Sequence, residues 1–121
     1  MAFFIMLSVV GLLPVGAQAY NSVRPGQLWL DPDGTPIQAH APQILVKDGV
    51  YYWYGENKEK TTLGSNVWTW GIRAYRSTDF YNWEDLGLII KPDTVNPLSP
   101  LHYSQTLDRP HIIYNRKTGK R

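Results

Sequence analysis

The chain has 121 residues, enough for one small domain, with a formal net charge of +2 and no cysteine. That charge is too small to mark a nucleic acid or an anionic surface as partner, and the missing cysteines exclude a disulfide framework. Packing alone must hold the fold, which is demanding for so short a chain.

Residues 1–19 read as a secretory signal peptide. The uncharged apolar run from Ala2 to Val15 is shorter than the roughly 20 residues that span a bilayer. Pro14 and Gly16 break it, and Ala17-Gln18-Ala19 has the small-residue pattern of a cleavage site before Tyr20. Residues 20–121 are therefore expected to be secreted and extracellular, with no membrane attachment after cleavage.

Beyond the leader no stretch keeps a 3.6-residue apolar period for long, so short strands separated by turns are expected. Gln27–Leu30 reads as a first strand and Asp31-Pro32-Asp33-Gly34 as a turn, which fits that segment better than a calcium loop does. The clearest hairpin joins Gln43–Lys47 to Val50–Tyr54 through Asp48-Gly49, because a type I′ turn needs positive φ at both central residues. Val50, Tyr52 and Tyr54 fall on one face of its second strand, Tyr51 and Trp53 on the other. Aromatic residues on both faces predict a strand covered on both sides.

Gly55–Asn66 is polar and loop-like. Gly71–Ser77 reads as a strand with Ile72 and Ala74 opposite Arg73, Tyr75 and Ser77. Ser77–Trp83 reads as a capped turn, and Trp83–Ile90 as an outer strand with a bulge at Gly87. Lys91–Thr106 is a Pro-rich connection, His111–Asn115 begins another strand, and Arg116-Lys117-Thr118-Gly119 is a turn. The basic residues Arg116, Lys117, Lys120 and Arg121 suit a solvated turn. A hydrophobic strand followed by a turn and no returning strand is an unpaired edge, so Arg121 is not expected to be the natural end of a domain.

These residues carry a resemblance. Pro25-Gly26-Gln27-Leu28-Trp29-Leu30-Asp31, Ile37-Gln38-Ala39-His40, Ile44-Leu45 and Tyr51-Tyr52-Trp53-Tyr54-Gly55-Glu56 are similar, in this order, to the start of glycoside hydrolases of family 43. The branch resembled contains the exo-acting 1,3-β-galactanases. Tyr75-Arg76-Ser77-Thr78-Asp79 with Trp83, and Arg109–Asn115 with Thr118-Gly119-Lys120, continue the match to the end of the chain. The resemblance implies an all-β fold: the first blade and the start of the second blade of a five-bladed β-propeller, incomplete. Residues 20–121 would be the N-terminal part of that domain. It also implies hydrolysis of O-glycosyl bonds in a plant cell-wall polysaccharide; the residues themselves show no metal-ligand cluster and no phosphate loop, so no metal or cofactor is expected. The first-choice substrate is 1,3-β-galactan, with arabinan and xylan as alternatives.

Inverting hydrolysis needs a carboxylic acid to protonate the leaving oxygen and a base across the bond to activate water. The resemblance places Ala41, in Ala41-Pro42-Gln43-Ile44, where the family usually has its Asp base, and alanine accepts no proton. It places the general acid beyond Arg121. No catalytic residue is therefore expected in this chain, which should be inactive alone. Substrate contacts are expected from Glu56, from Asp108 where the branch usually has Glu, from His40, and from Trp53 as a stacking face. Trp68 and Trp70 are candidate subsite platforms. The alternatives are a non-catalytic carbohydrate-binding module and a relic without function.

Overall fold

The computed structural model describes residues 19–119, so the expected signal peptide lies outside the described residues except for Ala19, as do Lys120 and Arg121. Four antiparallel strands form one sheet in chain order: β1 (His40–Lys47), β2 (Val50–Glu56), β3 (Ile72–Ser77) and β4 (Glu84–Ile90). Each strand pairs with the next, as expected for an all-β meander.

The β1–β2 turn follows from its two residues. Asp48 and Gly49 sit at φ 52° and 77°, and Lys47 pairs with Val50 on either side. In β4 Gly87 takes φ 75° opposite Ala74, while Asp85 pairs with Tyr75, leaving Leu86 as the extra residue of a bulge.

Strand β2 is central, and its side chains alternate into two clusters. On one face Trp53 packs with Ala39, Tyr75 and Trp83, flanked by Trp29, Ile37, Tyr51 and Phe80. The rings meet edge to face: Trp53 lies 4.7 Å from Trp29 and 5.1 Å from Trp83, and Phe80 lies 5.4 Å from Trp83. That geometry sets the positive ring edge against a negative face. On the other face Tyr54 packs with Ile72 and Ala74, flanked by Leu45 and Leu107. Tyr75, read from the sequence as part of a polar face, is 1% exposed, and its hydroxyl accepts the Gln38 N–H at 2.9 Å.

Two expected strands are absent. Gln27–Leu30 forms only a single bridge, Leu30 to Pro36. Asp31 accounts for this, because its Oδ1 accepts the N–H groups of Asp33 and Thr35 and curls the chain into a tight loop. His111–Asn115 is irregular, since no described strand lies beside it to supply a ladder. Its Ile112 N–H instead donates to the Tyr54 hydroxyl at 3.0 Å. The Ser77–Trp83 turn is capped as expected: Ser77 Oγ accepts from Asp79 and Phe80, and Asp79 Oδ1 from Tyr81 and Asn82. Asn82 then binds both the N–H and the carbonyl of Tyr20, which ties the N-terminal segment to the sheet.

The start of β1 is pinched. Two residues, Ala41 and Pro42, oppose Gly55, and Ala41 takes φ 45°. A Cβ on Gly55 would lie 2.6 Å from the Ala39 carbonyl carbon and 2.6 Å from the His40 oxygen. Gly55→Ala should therefore open the β1–β2 ladder at this end, read as lost amide protection of residues 53–56. Ala41→Gly should raise stability by about 1 kcal/mol in urea unfolding, because glycine adopts the left-handed region without strain.

Arg73 grips Asp85 with Nε at 3.0 Å and Nη2 at 2.6 Å, and Glu59 with Nη1 at 2.8 Å. Burial pushes the Asp85 carboxyl up, but hydrogen bonds from Arg73 and the Gly87 N–H outweigh it and leave its pKa below the ordinary value. A depressed carboxylate stabilises the fold above its unfolded pKa, about 3.9, and loses that contribution as pH falls through the folded value. The stability gap between wild type and Asp85→Asn, measured by urea unfolding, should hold at neutral pH and close below about pH 4.

Candidate functional site

The burial of β2 continues to its last residue. Glu56 pairs with His40 on one side and Ile72 on the other, and it is 3% exposed. A carboxylate taken out of water needs a compensating charge. Lys58 supplies it, with Nζ 2.9 Å from Glu56 Oε1, an ion pair without hydrogen-bond alignment. The same ammonium donates to the Trp68 carbonyl at 2.5 Å.

The loop after β2 turns back on the sheet through its backbone. Asn57 N–H donates to the Gly71 carbonyl, and its own carbonyl accepts the Trp70 N–H. Asn57 is fully buried; Oδ1 accepts the Glu59 N–H, whereas Nδ2 has no partner. The Tyr103 carbonyl accepts the N–H groups of both Trp68 and Thr69. Beside it, buried His102 holds Ser104 Oγ at 2.7 Å through Nδ1.

The residues expected to contact substrate divide three ways. Glu56 and His40 come together at one end of the sheet as paired residues. His40 is exposed there, with Nε2 3.2 Å from Gln38 Oε1. Asp108 sits apart in the C-terminal coil, exposed, 3.7 Å from Arg109 Nε. Its neighbour Leu107 anchors that coil on the Tyr54 cluster. Trp53 lies between Trp29 and Trp83, and its Nε1–H donates to the Ala39 carbonyl at 3.3 Å, so its ring serves the core. Trp68 is 56% exposed, whereas Trp70 is covered by Lys60, whose Nζ lies 3.8 Å from the ring centroid.

The sequence motifs single out neither Lys58 nor Asn57, Thr69 and His102. Their roles depend on the return path of the loop, which no spacing pattern announces. A wide concavity lies elsewhere. It is an open groove of about 610 Å³ at the hairpin end, lined by Leu45, Val46, Lys47, Ile112, Tyr114 and Gly119. Among the described residues no carboxylate lines it, whereas the Glu56 end of the sheet holds a buried one.

No protein-family model matches the chain, and no curated protein matches its sequence. Solved structures do. An exo-β-1,3-galactanase of Phanerochaete chrysosporium with galactose is 28% identical with a TM-score of 0.70, over 81% of this chain and 21% of that one. A family 43 β-1,3-galactosidase with galactodeoxynojirimycin is 36% identical with a TM-score of 0.64, over 78% of this chain and 26% of that one. Over most of its length the chain is similar to solved family 43 glycoside hydrolases. An exo-β-1,3-galactanase of Clostridium thermocellum agrees, 33% identical with a TM-score of 0.60, over 78% of this chain and 18% of that one. The chain thus spans about a quarter or less of the length of these family 43 relatives.

Lys58 is the site residue whose removal is most informative for the fold. Lys58→Met should lower unfolding free energy by about 1–3 kcal/mol, because it strands the Glu56 carboxylate away from water. Lys58→Arg, which keeps the charge, should lose less. An unchanged urea midpoint in Lys58→Met would show that another group compensates Glu56.

Proposed function

We propose that residues 20–121 form the first blade, and the start of the second, of a secreted family 43 β-propeller that hydrolyses 1,3-β-galactan with inversion. The observation that carries this reading is the enclosed Glu56 carboxylate at the end of a strand buried from Trp53 onward, in a chain whose solved relatives act on β-1,3-galactosides. A carboxylate accepts hydrogen bonds from two vicinal hydroxyls and so orients a galactose ring. Lys58 beside it keeps 27% of its side chain exposed and can share the same hydroxyls. His40 adds an imidazole at that end of the sheet, whereas Asp108 stays apart in the coil held by Leu107.

The role of these residues is binding. Inversion requires an acid and a base on opposite sides of the scissile bond. Among the described residues the buried carboxylates are Glu56 and Asp31, and Asp31 is committed to its own loop. Ala41 cannot serve as a base. We place the acid and the base in later blades, which makes this chain inactive alone.

Two measurements test the reading. The chain should release no galactose from 1,3-β-galactan, and turnover comparable to that of a full-length family 43 enzyme would overturn it. Galactose should bind weakly, and Glu56→Gln should weaken that binding by about tenfold, since truncating a charge-assisted bond typically costs more than 1 kcal/mol. A non-catalytic galactoside-binding module would share these contacts. The two part when the chain is joined to further blades carrying an acid, where only the hydrolase gains turnover.

A further inference from the structure

Lys58 links Glu56 to a second feature of the same corner. Its ammonium touches Glu56 Oε1 and the Trp68 carbonyl, so the Trp68 backbone stands only one side chain's ammonium away from the carboxylate. That backbone is fixed from three directions: its N–H donates to the Tyr103 carbonyl at 2.8 Å, and its carbonyl accepts from Lys58 Nζ and, at 3.4 Å, from Thr61 Oγ1. The indole is nevertheless 56% exposed, in a chain that buries Trp53 and Trp83. A single exposed hydrophobic residue is ordinary. An exposed indole on an immobilised backbone beside a buried carboxylate is a preorganised surface, because little ordering remains to be done on binding.

Trp70 cannot take this role. Lys60 covers its ring, and Tyr103 lies 6.4 Å from it on a tilted plane. Trp68 has neither cover. We propose that Trp68 is the stacking platform for the sugar ring next to the one that Glu56 orients, and so sets a preference for β-1,3-linked oligosaccharides over the monosaccharide. This rests on the reading of Glu56 as a sugar contact. A galactopyranose presents C–H groups on one face, which pack on an aromatic plane, while Glu56 and Lys58 take hydroxyls of the adjoining ring.

The test titrates the full chain with galactose and with β-1,3-galactotriose, followed by NMR. Wild type should bind the triose more tightly than galactose. Trp68→Ala should weaken triose binding by about five- to tenfold, the usual loss for an aromatic contact, and leave galactose binding unchanged. Trp68→Phe, which keeps a flat ring, should retain most of the triose affinity. Equal loss for both sugars would indicate a structural role and overturn the proposal, as would unchanged triose binding in Trp68→Ala. Either result leaves the Glu56 reading standing. A wild-type chain that binds neither sugar overturns both.

Discussion

Strand β2 has to hide large aromatic side chains on both of its faces, and the rest of the structure answers that demand. Trp53 on one face and Tyr54 on the other are each nearly fully buried. A strand at a sheet edge could not satisfy them, so β1 and β3 flank it. One sheet has only one other layer above and below, and this chain supplies both from its irregular segments. The N-terminal loop brings Trp29 and Ile37 to the Trp53 face, and the C-terminal coil brings Leu107 to the Tyr54 face. Burial of each such ring is worth several kcal/mol at about 25 cal/mol per Å². Those contributions take the place of disulfides.

The same constraint creates the proposed sugar-binding corner. Because β2 stays covered to its last residue, the carboxylate of Glu56 is drawn out of water with it, and a lysine must follow. Gly55 lets the pinched backbone of Ala39 and His40 pass directly over β2, which closes the strand end from the β1 side. The loop after β2 closes it from the other, through Asn57, Thr69 and the Tyr103 carbonyl. Core packing and site geometry are thus one arrangement seen at two ends of a strand.

Much of this was legible in the residues. Asp48-Gly49 announced the hairpin and its register, the alternation of aromatic residues announced two covered faces, and Gly87 announced the bulge. The misplaced strands show the limit. Gln27–Leu30 has strand-like composition, but the Asp31 side chain takes the next backbone donors for a loop. His111–Asn115 has the composition as well, but a strand exists only where a neighbour offers a ladder. The resemblance drew attention to Glu56, but its burial beside Lys58 was not legible, since the pairing depends on how the polar loop returns. Trp53 was expected as a stacking face, and the positions of Trp29 and Trp83 place its ring in the core instead.

We propose that a galactoside meets this chain at the Glu56 corner rather than at the groove of the hairpin end. Mapping backbone amide shifts while adding β-1,3-galactotriose locates the contact directly. The account predicts changes concentrated at residues 56–58 and 68–70. Changes concentrated at Leu45–Lys47 and Ile112–Tyr114, with the Glu56 corner silent, would contradict it.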